Sequence, residues 1–407
     1  MGPRRHVPSR EAQLNAVDRY LELGLRLGRL LDGMVDAYYG PVDLARRVED
    51  EPLPDPAKLV VDARRLVADL DAGVDDLDAH RRRWIRGQVL GLLVTARRFA
   101  GESIDFEDEV EQCYGVRPTR VDEEELEAAH RRIDAVLPGS GPLGQRLIDW
   151  REAQAVAPDK LDAAIQSLAD DFRDRTTALF GLPDGEHVDF ELVRNEPWSG
   201  FNYYLGGLRS RVVINTDLPV LSTSLGHLVA HEAYPGHHTE HSRKESGLVR
   251  HRGYQEETIF LVGTPQCLLA EGLADLGLEV IVPDRAHEVV AEHLRPLGIR
   301  YDSEVAAAVA EAGELLGNAV RGNIALLLHA DGADADAAIA YGERWGLLPR
   351  NRAEKAVEFQ TDPTWRAYIF CYIDGLRLCR RFVAGDPARF ERLITEALLP
   401  EDLEPAA

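Results

Sequence analysis

The sequence has no run approaching the ~18 consecutive apolar residues of a membrane span, and its four cysteines, Cys113, Cys267, Cys371 and Cys379, form no CxxC pair. The first absence argues against a transmembrane helix. The second leaves reduced, buried thiols as the expected state and sets aside a thiolate zinc site. An excess of positive charge is also missing. With 47 Lys+Arg against 70 Asp+Glu, the formal charge is −23, which argues against nucleic-acid partners and anionic membrane surfaces. Residues 1–10 carry charge with no apolar stretch behind them, so no secretory signal is expected and the chain reads as cytoplasmic. Internal repeats and low-complexity tracts are absent as well.

What is present is mostly helical periodicity. Leu161, Ile165, Leu168, Phe172 and Leu179 repeat at steps of four, three, four and seven, which predicts a helix over 158–180. Similar patterns predict helices over 11–31, 57–72, 78–101, 122–136, 302–329, 351–360 and 364–383. The turn Gly181-Leu182-Pro183-Asp184-Gly185 suggests a boundary between a helical lobe, 1–185, and a second lobe, 186–407, within one continuous unit. Just after it, His187–Val193 alternates polar with apolar. Phe201–Leu205 and Arg211–Asn215 are rich in aromatic and β-branched residues around Gly206-Gly207, which predicts a small antiparallel sheet. The expected class is mostly α, a clefted multi-helix body with one small antiparallel sheet.

The strongest chemical signal follows that sheet. Six of the 13 histidines, His227, His231, His237, His238, His241 and His251, fall within 227–251. They surround the block His231-Glu232-Ala233-Tyr234-Pro235-Gly236-His237-His238. A His-Glu pair joins the commonest neutral zinc ligand to a carboxylate that can act as a base. On a helix beginning near Val220, Glu232 continues the apolar stripe of Leu221, Leu225, Leu228 and Val229. A carboxylate in that position calls for a cation. The usual His-Glu-x-x-His arrangement needs its second ligand at i+4, but that position is Pro235. A two-residue bulge at Pro235-Gly236 is therefore expected to return His237 to the ligand position, with His238 behind it or facing substrate. The pairs His227/His231 and His237/His241, each at i, i+4, are the rival ligand sets. Downstream, Glu271, Asp275 and Glu279 form an acidic stripe on an otherwise apolar helix. Glu271 is the candidate third ligand, and Asp275 the partner that fixes a ligating imidazole.

These residues resemble the bacterial domain-of-unknown-function 885 family, whose mark is a His-Glu-x-x-Pro-Gly-His-His motif. The similarity covers roughly residues 195–385 and includes Ile214-Asn215-Thr216, Glu271-Gly272-Leu273-Ala274 and Tyr372-Ile373-Asp374-Gly375. Two positions depart from the family pattern, at Gly206–Arg211 and at Glu240. The resemblance implies a mostly helical, clefted fold akin to helical zinc metallopeptidases and a peptidase or amidase activity. The expectation is then hydrolysis of a peptide or small amide with one zinc per chain, held by His231, His237 and Glu271. Glu232 is the expected base, and Tyr372, through the resemblance, the oxyanion donor. Tyr203, Asn215 and Arg209 or Arg211 are the expected substrate contacts, with an arginine suited to a substrate carboxylate. The competing readings are a metal enzyme acting on an ester or another non-peptide substrate, an iron oxygenase with two histidines and one carboxylate, and a non-catalytic metal-binding protein.

Overall fold

Leu161, Ile165, Leu168 and Phe172 lie buried along one face of the helix Pro158–Phe180, which Pro158 opens and Gly181, at φ +69, closes. The same logic, an apolar stripe turned inward and polar residues left outside, builds the rest of the computed structural model. It describes residues 15–195 and 200–404, and its fold is 66% helix and 8% strand. Helices Pro56–Ala72, Ala79–Phe99 and Glu123–Val136 end close to where the periodicity places them. Of the segment 11–31, residues 11–14 lie outside the described residues and the helix is Ala16–Gly28. The expected helix 302–329 is interrupted by a π-helical turn, Leu315–Ala319. The one expected from 364 begins later, with turns over 363–368 and a second π-helical turn, Cys371–Gly375. Short helices such as Phe106–Tyr114, Leu143–Glu152 and Ala335–Trp345 span too few turns to announce themselves by periodicity.

The strands are β1 Val35–Tyr38, β2 His187–Val193, β3 Gly200–Gly206, β4 Arg209–Asn215 and β5 Ile259–Leu261. The three-stranded sheet has the order β2-β4-β3 and is mixed, not antiparallel. β3 and β4 form the expected hairpin around Gly206-Gly207, whereas β2 lies parallel to β4. Alternation in the sequence reports which face of a strand is buried and is silent on which neighbour it pairs with. A second, two-stranded sheet, β1 with β5, was not expected. Strands of four and three residues are too short to show alternation.

Two apolar cores are present, and both draw on residues from either side of the 185/186 boundary. The larger runs from Ala37 to Leu403, and the smaller joins the first helices to Leu248, Ile259, Leu261 and Leu399. Among the described residues no helix is long and apolar enough to cross a membrane.

The helix Pro265–Ile281 sits at the centre of this packing. It touches the π-turn Cys371–Gly375 so closely that a Cβ on Gly272 would lie 2.3 Å from the Gly375 backbone, while a Cβ on Gly277 would lie 3.0 Å from the Pro235 ring. Gly272→Ala should therefore force the two segments apart and destabilise the fold by about 1–3 kcal/mol. The urea midpoint measures this, and an unchanged midpoint would show that the contact is slack.

Candidate metal centre

The helix Ser222–Glu232 buries Leu225 and Val229 and ends at Glu232, and a new helix, His237–Lys244, starts after four intervening residues. The interruption is thus a full break between two helices, wider than a bulge. Three contacts hold it. Tyr234 donates its hydroxyl to Glu186 (2.8 Å), the Gly236 N–H donates to the Ala230 carbonyl (2.9 Å), and the Pro235 ring rests on Gly277. Gly236 is required here because a Cβ would lie 1.9 Å from the His231 carbonyl oxygen.

The break turns the His237 ring to face His231, with Nε2 atoms 3.2 Å apart and ring planes at 89°. The Pro265–Ile281 helix brings up Glu271, whose Oε2 is 3.4 Å from His231 Nε2 and whose Oε1 is 3.6 Å from His237 Nε2. Three donors at 2.0–2.2 Å from one centre, at tetrahedral angles, would be about 3.4 Å apart. The observed separations have that size.

The state of each donor points the same way. His231 Nδ1 meets Asp275 Oδ1 at 2.9 Å. Since an ionised carboxylate only accepts, Nδ1 carries a proton, which leaves Nε2 as the atom of the neutral imidazole that presents a lone pair. Glu271 Oε1 accepts from the Tyr368 hydroxyl at 2.5 Å, whereas Oε2 is buried and has no hydrogen-bond partner. One proton shared between the two Nε2 atoms would still leave Oε2 unsatisfied. A cation satisfies all three, so the residues fit a divalent metal.

Asp275 serves as a buttress. At 2.9 Å from His231 it is hydrogen-bonded directly, too close for a metal to separate the two, and it also lies 3.3 Å from the exposed His227. The set His227, His231, Asp275 is nevertheless the second group of donors within mutual reach. His241 belongs to neither group and stacks on Tyr204, with centroids 4.8 Å apart.

Burial dominates the electrostatics. It pushes His237 down to about 4. It opposes charge on His231 too, but the Asp275 and Glu271 carboxylates beside it outweigh burial and raise that imidazole, so a metal there would take the place of a proton on Nε2. Glu271 and Asp275 are held low by the facing histidines, with Tyr368 also helping Glu271. Glu232 is pushed up to about 7 by burial, which outweighs the neighbouring His231. Asp36 is raised further, to about 8, by burial and by the charges of Glu271 and Glu232.

Several expected contacts lie elsewhere. His238 is fully buried and takes no part in the centre. Its Nε2 bonds Glu186 (2.8 Å) and its Nδ1 bonds Ser210 (2.9 Å), which pins the start of its helix to β4. Tyr203 is on the opposite face of β3 from Asn202, the residue that donates to the Glu232 carbonyl. It packs against Phe201 and under Arg211. Arg209 is at the far end of the sheet from Gly200, where a Cβ would come within 3.4 Å of Glu232 Oε1. Seven residues of strand make that separation about 20 Å. Both arginines are already paired, Arg209 with Asp189 and Arg211 with Glu191. Asn215 lies at the near end, where its Oδ1 accepts from the Asp217 N–H in a turn. Glu279 leaves the acidic stripe to pair with Arg380 at the surface.

Tyr372 does reach the centre. Its ring lies 6.4 Å from that of His231 at 30°, and its hydroxyl makes no hydrogen bond among the described residues. Tyr368, Asp36 and Glu186 were missed by the sequence reading. Tyr368 precedes Tyr372 by four residues, a spacing that carried a usable signal. Asp36 occupies the irregularity between Val35 and Ala37 in the β1–β5 pairing, a type of bulge that re-aims a side chain and cannot be read from four residues.

No family model and no curated protein matches the chain. Among solved structures, the fold is similar to a candidate lipoprotein from Colwellia psychrerythraea, with TM-score 0.53 and 16% identity over 85% of this chain. The chain spans 65% of the length of that protein. A candidate lipoprotein of unknown function from Shewanella oneidensis gives TM-score 0.49 and 11% identity, covering 97% of this chain and 82% of its own. The M32 carboxypeptidase from Deinococcus radiodurans R1 gives 0.39 and 14%, covering 95% and 89%. At 16% identity the likeness to the first of these is one of fold alone.

The Glu186 network offers a stability test apart from any metal. Burial opposes its charge, but hydrogen bonds from His238, Tyr234 and Arg173 hold Glu186 at about 2, below the ordinary 4.5. A depressed carboxylate stabilises the fold above its unfolded pKa and loses that contribution as pH falls through the folded one. The contribution should thus be complete above about pH 5 and fade between about 4.5 and 2. Glu186→Ala should cost about 3–5 kcal/mol at neutral pH by stranding buried partners, whereas Arg209→Ala should stay within about 0.5 kcal/mol. Urea unfolding at several pH values checks both.

Proposed function

We propose that the chain is a zinc-dependent hydrolase of peptide or amide bonds, with His231, His237 and Glu271 as ligands and one zinc per chain. The observation that carries this reading is the convergence of three lone-pair donors, one of them a buried carboxylate oxygen without a partner, beside a second carboxylate near neutrality. A zinc ion there would supply Lewis acidity and would bring the pKa of a coordinated water towards ~7. The likeness of the His231–His238 block to the domain-of-unknown-function 885 family supports the same assignment, and the −23 charge suits a substrate other than nucleic acid.

The protein groups then divide the remaining work. Asp275 holds His231 in the tautomer that presents Nε2 to the centre, and Tyr368 fixes Glu271 through Oε1, leaving Oε2 free to bind. Glu232, raised to about 7, can take a proton from the attacking water and return it to the leaving amine, because a base is most effective when its pKa is near the working pH. Tyr372 has an uncommitted hydroxyl to donate to the carbonyl oxygen as negative charge develops there.

Base and ligand are assigned to different carboxylates, and the two can be told apart. Glu232→Gln should retain one zinc and lower turnover of a peptide library by about 10²–10⁴. Glu271→Ala should lose most of the metal, and with it the activity and part of the stability. Elemental analysis of protein purified without chelator reads the first quantity. Iron in place of zinc with oxygen-dependent turnover, or full activity in both variants, would sink the hydrolase reading.

A further inference from the structure

Beyond the His231 ring, on the side away from Glu271, stands a second pair of donors. His227 lies one turn before His231 on the helix Ser222–Glu232, so the two imidazoles share a face and stack, with centroids 5.7 Å apart and ring planes at 21°. Both rings reach one atom. Asp275 Oδ1 is 2.9 Å from His231 Nδ1 and 3.3 Å from His227 Nε2.

The two contacts differ in kind. A hydrogen bond from nitrogen to a charged oxygen spans about 2.7–2.9 Å, which fits His231 but not the 3.3 Å to His227. That longer distance matches two ligands of a common cation, as does the 3.4 Å between His231 Nε2 and Glu271 Oε2. Exposure differs as well. The Asp275 side chain is 7% exposed and fixed on a buried helix, whereas that of His227 is 53% exposed. A rigid carboxylate beside an imidazole open to solvent leaves water to complete the coordination of a cation held between them. His231 Nδ1 is the third donor within reach, but its proton is already committed to Asp275. Two protein ligands hold a metal less tightly than three, so this site fills after the centre does.

We infer that His227 and Asp275 form a second, weaker site for a divalent cation, and that zinc taken up there slows turnover at the centre. The regulation rests on the hydrolase reading; the binding site does not. Asp275 Oδ1 serves both neighbours. A cation on that oxygen draws its electron density outward and weakens its acceptance of the His231 proton, which loosens the orientation of an imidazole that the centre needs as a ligand.

The test is zinc uptake, read by equilibrium dialysis and elemental analysis of the full chain, purified without chelator and exposed to rising zinc chloride. The wild type should take up one equivalent and then a second about 10²-fold more weakly. His227→Ala, at an exposed position where folding is little affected, should keep the first and lose the second. His227→Glu retains a donor in the same place and should regain it. On a peptide library, zinc beyond the first equivalent should lower wild-type turnover by about 10-fold or more and leave His227→Ala at its one-zinc rate. A wild type that stops at one equivalent which His227→Ala retains, or a His227→Ala that takes up as much zinc as the wild type, would overturn the site. A filled second site with unchanged turnover would overturn the regulation. A single equivalent that His227→Ala removes would keep the outer site and sink the centre instead. Two equivalents bound without turnover of any peptide would sink hydrolysis, and the regulation with it, while the site stands.

Discussion

Glu271 Oε2 is buried without a hydrogen bond, 3.4 Å from Nε2 of His231, whose ring is fixed by the bond from Nδ1 to Asp275. An arrangement of lone pairs facing one another is costly in a low-dielectric interior, and the surrounding structure is organised to hold it. The Pro265–Ile281 helix can carry Glu271 and Asp275 into the centre only because Gly272 and Gly277 let the Gly375 backbone and the Pro235 ring approach. The break before His237 depends in turn on Glu186, which binds Tyr234 inside the break and His238 just after it. Close packing of backbone, more than any single charge pair, sets where the donors stand.

The local parts of this arrangement are legible in the sequence. The His-Glu pair, the missing residue at i+4 and the Pro-Gly interruption lie within eight consecutive residues, so a helix of known pitch states what each can reach. Glu271 and Asp275 are visible as charges on a helix with no polar face to spare. Helical class is legible for the same reason, since long stripes such as Leu161 to Phe172 have one period throughout. What could not be read depends on pairing across the chain. Nothing around Glu186 announces that it meets His238, 52 residues away, and an alternating strand such as β2 does not declare a parallel neighbour. Tyr203, Arg209 and His238 were misplaced because motif proximity was allowed to stand for spatial proximity. In a strand, adjacent residues face opposite ways, and at a helix start the second histidine points some 100° from the first.

The strand β1 takes part in the centre as well as supporting it. β1 pairs with β5, and the irregularity in that pairing places Asp36 beside Glu271 and Glu232. Three carboxylates and two imidazoles thus share a desolvated space. Burial, with a smaller repulsion from neighbouring carboxylates, raises Asp36 and Glu232 while the imidazoles hold Glu271 low. Unequal environments divide chemically similar groups between ligand and proton carrier, which is how one site can contain both at neutral pH.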